Sequence, residues 1–143
     1  MPVPTEAQEQ AALIEWFTVN RWLFTATAQA TPAGRMTAAG WKPAFGTLRK
    51  NRALGVRKGF PDLCVVPTGG SAIFIEMKRA NGVPSDVAPE QSEWLEALNA
   101  SGITAVVCCG FKEAKDCVDA LLHGKEWKGR IDRVAADGCV YEN

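Results

Sequence analysis

Pro67-Thr68-Gly69-Gly70-Ser71 separates two strand-like runs, Asp62 to Val66 and Ala72 to Lys78, and its Gly-Gly pair is a turn signal. The chain is therefore expected to double back here as a β-hairpin. If it folds symmetrically about Gly69, residues whose numbers sum to 138 lie opposite one another, which sets Asp62 across from Glu76. Lys78 follows Glu76 by two residues and shares its face, because side chains alternate along a strand. Two carboxylates and one ammonium group then occupy one sheet face.

Carboxylates held this close are costly to ionise together unless something positive lies between them. A hard divalent cation meets that need. Mg²⁺ takes oxygen ligands, binds through one or two carboxylates and keeps waters that a phosphate can displace. Lys78 would then stabilise charge on a reacting phosphate or orient an attacking water. A hairpin without this role would carry only a turn aspartate and a solvated Glu/Lys pair. The neighbours argue for the first reading: Gly59-Phe60-Pro61 bends the chain into Asp62, and Ala72-Ile73-Phe74-Ile75 is an apolar run of the kind covered on both faces, ending in a charged Glu76.

With 143 residues, 47% of them hydrophobic, the chain has the size of one α/β domain over 1–143. No apolar run is long enough for a bilayer, and the N-terminal residues lack the basic and apolar regions of a signal peptide, so a soluble, intracellular, cytoplasmic protein is expected. The five cysteines form no C-x-x-C pair and read as reduced packing thiols, not zinc ligands or disulfides. His123 is the single histidine, at an expected helix end, which leaves little for Ser-His or Cys-His catalysis.

Net charge is zero, yet its distribution is strongly uneven. From Trp16 to Pro61 there is no Asp or Glu, while Arg21, Arg35, Lys42, Arg49, Lys50, Arg52, Arg57 and Lys58 contribute eight positive charges. Such a segment suits a polyanion, with Trp41 and Phe45 available for stacking or wedging against bases.

Thr5 with Gln8 reads as a capping box opening a helix near Glu6. Its inward stripe runs through Gln10, Leu13, Ile14 and Phe17 and on to Arg21 and Phe24, and Glu6 falls on that stripe one turn before Gln10. A short strand near Thr25 to Gln29 and a mobile basic connection over about 30–58 follow. After the hairpin, a loop leads to a helix from Pro89 to about Ala100, stopped by Gly102, with Gln91 one turn before the inward Leu95. Ile103 to Cys109 reads as a buried central strand, and Phe111 to Leu122 as an amphipathic helix ended by Gly124. The tail over 125–143 is poorly defined, apart from a short edge strand at Gly138 to Tyr141. The order predicts a small α/β sandwich around a mixed sheet.

The chain resembles the VRR-NUC (virus-type replication-repair nuclease) family of the PD-(D/E)XK nuclease superfamily. The resemblance runs through Gly55 to Leu63, Phe74-Ile75-Glu76-Met77-Lys78, Gln91-Ser92-Glu93-Trp94-Leu95 and Gly102 to Val106, with Glu6 and Gln10 in the first helix. A bare D-x(n)-E-x-K pattern is common. The ordered set of Gly-x-Pro-Asp, Glu-x-Lys and Gln-x-x-Trp is far more specific.

The resemblance implies a restriction-endonuclease-like mixed sheet flanked by helices, with an αβββαβ core. It also implies Mg²⁺- or Mn²⁺-dependent hydrolysis of DNA phosphodiesters. Asp62, Glu76 and the Met77 backbone carbonyl would be metal ligands, Lys78 would position or activate water, and Gln91 would orient Lys78 or that water. Glu6 would lie near the metal, with Glu9 and Glu15 of the same helix as alternatives. Stand-alone relatives imply a viral or prophage homodimer acting on branched DNA such as Holliday junctions; eukaryotic relatives imply flap, nick or end processing. A non-catalytic DNA-binding module on the same fold is the competing reading. Arg35, Lys42, Arg49, Lys50, Arg52, Arg57 and Lys58 are the expected DNA contacts, made to backbone and shape more than to bases.

Overall fold

The computed structural model describes residues 2–27, 34–38, 40–43, 49–50, 52–134 and 140–142. Helix α1 (Glu6–Val19) opens with the expected capping box: the Thr5 hydroxyl accepts from Gln8 N–H, and the Gln8 side chain accepts from Thr5 N–H. The helix stops before the predicted stripe does. Arg21 takes φ 59°, Trp22 N–H bonds to Phe17 O at 3.2 Å and Arg21 N–H to Thr18 O at 3.0 Å, the pattern of a Schellman end. Phe24 therefore lies in a strand, β1 (Leu23–Ala26), which starts two residues earlier than expected.

Strand β4 (Leu63–Val66) and strand β5 (Ile73–Lys78) form the predicted hairpin, with Leu63 opposite Ile75, Cys64 opposite Phe74 and Val65 opposite Ile73. Each pair sums to 138, so the register is the symmetric one. Gly69 takes φ 82° in the turn, and Gly70 N–H bonds to Pro67 O at 3.0 Å. Between β1 and β4, β2 (Gly34–Thr37) and β3 (Gly40–Pro43) make a separate antiparallel pair where an irregular connection was predicted. The rest of the expected mobile segment, and residues 28 and 29 of the expected strand, lie partly outside the described residues.

After a 3-10 turn at Pro84–Asp86 come α2 (Pro89–Ala100), β6 (Thr104–Cys109) and α3 (Phe111–Leu122), close to their predicted limits. Gly102 and Gly124 follow the two helices at φ 82° and 64°. The tail forms an antiparallel pair, β7 (Ile131–Val134) with β8 (Val140–Glu142), more order than was expected there.

The main sheet runs β1-β4-β5-β6, antiparallel except for the parallel β5/β6 pair. This corrects one expectation: β6 is an edge strand and β4 and β5 are central. Its apolar run reflects cover on both faces, and cover does not specify a hydrogen-bonded neighbour on each side. On one face Leu13 and Phe17 of α1 and Ala114, Cys117 and Val118 of α3 pack on Leu63, Val65, Ile73, Ile75 and Met77. On the other, Leu95 and Leu98 of α2 pack with Phe74, Ala105, Val107, Cys109 and Ile131.

Phe17 is fully buried among Trp16, Trp22 and Phe24, with ring centroids 5.8, 6.2 and 5.7 Å away. Phe17→Ala is expected to lower unfolding free energy by about 3–5 kcal/mol, read from urea titration. A loss under about 1 kcal/mol would mean that α1 does not close this core.

Candidate active site

The face packed by α2 carries the polar residues. Phe74, Glu76 and Lys78 alternate with the buried Ile73, Ile75 and Met77, so the acid and the lysine face α2. Glu76 is 2% exposed and Lys78 7%. A solvated Glu/Lys pair is therefore ruled out by position. Asp62 stands one residue before β4, opposite Glu76 by the same register, and its Oδ2 accepts from Met77 N–H at 2.9 Å. Asp62, Glu76 and Lys78 are thus brought together as predicted.

Gln91 joins them from the first turn of α2. Its Nε2 donates to Glu76 Oε1 at 2.6 Å, and its Oε1 accepts from Lys78 Nζ at 3.1 Å and from Ala88 N–H at 2.9 Å. These partners fix the amide orientation, because a flipped amide would set its donors against two other donors. The side chain therefore caps its own helix and bridges acid to base. Lys78 Nζ also lies 3.5 Å from Glu76 Oε1, the only salt bridge among the described residues.

Burial, and next the charge of Asp62, push the Glu76 carboxyl up to about 8 against the opposing pull of Lys78. Burial also raises Asp62, partly offset by the Met77 N–H. The metal-free pair therefore holds a proton near neutral pH. Glu76 Oε2 is buried and meets no donor group of the chain, so the proton it and Asp62 hold between them is what joins the two acids. A buried carboxylate oxygen with no donor group, beside a second carboxyl, suits a hard cation, which would displace the proton the two acids share and coordinate the oxygen. A strand residue directs its N–H and C=O to the same side, so Met77, whose N–H meets Asp62, turns its carbonyl to that edge too.

No third His, Cys, Asp or Glu joins this pair among the described residues. Glu6, in the exposed first turn of α1, is thus not joined to Asp62 and Glu76, and the inward aim expected for it is not realised: the stripe sinks only at Leu13 and Phe17. Glu9 has a different task, accepting from Phe111 N–H at the start of α3. Glu15 is exposed. Cys108 and Cys117 are buried in one core and Cys109 in the other, Cys64 is half-buried, all four are free thiols, and burial raises Cys109 to about 12. Cys139 lies outside the described residues.

Sequence reasoning did not anticipate how the Lys58–Asp62 segment is fixed. Gly59 takes φ 91°, and a Cβ there would sit 2.5 Å from the Glu90 carbonyl group and 2.8 Å from Gln91 N. Trp94 Nε1 donates to Lys58 O at 3.2 Å, and the Phe60 ring stands edge-on to Trp94 and Phe74 at 4.9 and 5.5 Å. The glycine before Pro61-Asp62 and the tryptophan three residues after Gln91 thus meet in one joint. A Gly-x-Pro-Asp paired with a distant Gln-x-x-Trp was the available signal.

Arg49, Lys50, Arg52, Arg57 and Lys58 are exposed. Arg35 and Lys42 are register partners across β2 and β3, with side chains outside the described residues. No described helix is long and apolar enough to cross a membrane.

The solved structure of a VRR_NUC domain protein is similar to this chain, with a TM-score of 0.59 and 20% identity over 90% of this chain and 96% of that one, a likeness of fold. None of the curated proteins compared matches. The sequence matches the VRR-NUC domain over residues 5–112, which carry α1 through β6 and with them Asp62, Glu76, Lys78 and Gln91, so the chain belongs to the VRR-NUC family and has a nuclease-type fold.

Proposed function

We propose that this chain is a divalent-metal-dependent DNA endonuclease that hydrolyses phosphodiester bonds in branched or structured DNA, with four-way junctions of the Holliday type as the leading substrate. The observation that carries this reading is the Asp62, Glu76 and Lys78 group bridged by Gln91, with Glu76 and Lys78 buried, Asp62 half-buried, and Glu76 Oε2 inside it meeting no donor group of the chain. Asp62, Glu76 and the Met77 carbonyl would hold Mg²⁺ or Mn²⁺. When bound, the ion would offset charge on the phosphate and make a water more acidic.

Lys78, held between Gln91 and Glu76, aims a fixed positive charge at the reacting phosphate or orients the attacking water. Gln91 keeps that ammonium from collapsing onto Glu76 alone. Glu6 is proposed to lie near the metal as an outer or additional ligand, from the exposed first turn of α1. Arg35, Lys42, Arg49, Lys50, Arg52, Arg57 and Lys58 supply sequence-independent grip on the backbone. A homodimer fits symmetric cutting of two strands by two sites about a two-fold axis. The setting would be the cytoplasm of a bacterium or infected host.

The test is cleavage of labelled four-way junctions, flaps, nicked and linear duplexes in EDTA, Mg²⁺ or Mn²⁺. Metal-dependent cutting with the junction fastest is expected. Preference for flaps or ends would make the protein an end-processing nuclease, and tight binding without cleavage in any metal would make it a binding module. Gln91→Ala is expected to slow cleavage about 10–100-fold, as for loss of a partner that orients a ligand. An unchanged rate would remove Gln91 from the machinery.

A further inference from the structure

Asp62 is presented by a segment outside regular structure, and one residue controls the peptide planes on both of its sides. Strand β1 ends at Ala26, paired with Leu63, and Thr27 continues the ladder one step further. Thr27 N–H donates to Asp62 O at 2.8 Å, and the Thr27 hydroxyl donates to Pro61 O. The Pro61 carbonyl belongs to the planar unit that enters Asp62, and the Asp62 carbonyl to the unit that leaves it. Fixing both planes fixes φ and ψ of Asp62, and so the direction of its Cα–Cβ bond.

We infer that Thr27 is a positioning residue for Asp62: by holding the two carbonyls that flank the Asp62 Cα, it sets the carboxylate against Met77 N–H and Glu76. The consequence for cleavage rests on the nuclease reading above. The positioning itself does not. A misplacement of about 1 Å at a reacting centre costs on the order of a hundredfold in rate, so a hydroxyl that touches no substrate has leverage on turnover. Proline at 61 restricts its own φ but leaves the orientation of its carbonyl free, and that freedom is what the Thr27 hydroxyl removes.

Thr27→Val tests this with little change in volume, since it keeps the β-branch and the backbone N–H and loses only the hydroxyl. Two readouts are taken on the full chain. The first is hydrogen exchange at the Met77 amide, whose partner is the Asp62 carboxylate; the second is kcat and KM on a labelled four-way junction in Mn²⁺. Expected are exchange at Met77 about tenfold faster, with Val107 and Cys108 of β6 unchanged, and kcat down roughly tenfold with KM within about twofold. Thr27→Ser should restore both.

Unchanged Met77 exchange in Thr27→Val overturns the inference, and so does a kcat within about twofold of the parent in a protein that cleaves. Should the valine variant fail to fold, the Thr27→Ser and Thr27→Ala pair carries the same comparison. If the parent protein cleaves nothing, the nuclease reading fails, while Met77 exchange still decides the role of Thr27.

Discussion

Glu76→Gln is expected to abolish metal-dependent cleavage, by roughly 10²–10³-fold or more, while making the metal-free protein more stable at pH 8.5. Glutamine keeps a carbonyl oxygen for Gln91 Nε2 but removes the charge that a cation would bind. The stability effect follows from protons. The carboxyl is pushed from an ordinary value of 4.5 up to about 8, so between those values the folded chain retains a proton that the unfolded chain has released. Folding stability therefore falls as pH rises across that window, and the full penalty of the buried charge is present above it.

The raised Asp62 adds to the loss in the same direction. In EDTA, the melting temperature of the parent protein should drop from pH 5 to pH 8.5, and that of Glu76→Gln should drop much less. Mn²⁺ should raise the parent's melting temperature more at pH 8 than at pH 6, because the shared proton must leave before the cation binds. Calorimetry at two pH values, with and without metal, checks each statement. Parallel pH dependence in parent and variant would show that Glu76 is not the group that titrates.

Gly59→Ala is expected to cost about 2–5 kcal/mol in folding stability and to slow cleavage in whatever remains folded. Two penalties coincide. Alanine resists φ 91°, and its Cβ would fall 2.5 Å from the Glu90 carbonyl, a backbone group that cannot rotate away. The helix start must then retreat, taking the Gln91 amide away from Glu76 and Lys78. Gly55→Ala is the matched control: Gly55 takes φ 92° with nothing within 4 Å of its Cβ, so it bears backbone strain alone, about 1 kcal/mol. Urea titration of both variants separates strain from collision. Equal losses would mean that the contact with α2 does not matter.

The contrast between these two glycines also shows what a sequence makes legible. Hairpin register was readable because the Gly-Gly pair marks the turn and a fold symmetric about Gly69 pairs residues whose numbers sum to 138, so Asp62, Glu76 and Lys78 could be placed from spacing alone. The limits of α2 and α3 were readable because glycines mark their ends. The end of α1 was not, since Arg21 holds the left-handed position that glycine usually takes, and the stripe appeared to continue. β2 and β3 were missed because their four-residue strands, rich in Gly and Pro, have no clear alternation. β6 was misplaced in the sheet because apolar residues report cover, and cover is the same for an edge strand between two helical layers. Thr27 left no trace, as its role lies in backbone carbonyls that any residue supplies.

β5 and β6 run the same way, so the chain that leaves β5 cannot turn straight back and must travel the length of the sheet before entering β6. That return path is α2, and its opening turn necessarily sits above the very end of β5 where Glu76 and Lys78 emerge. The glutamine is thus delivered to the acid and the lysine by the wiring of the chain, on the first turn of the helix that carries it back. Grafting Asp62, Glu76 and Lys78 onto an all-antiparallel hairpin stack would copy the charges and leave them without their bridge.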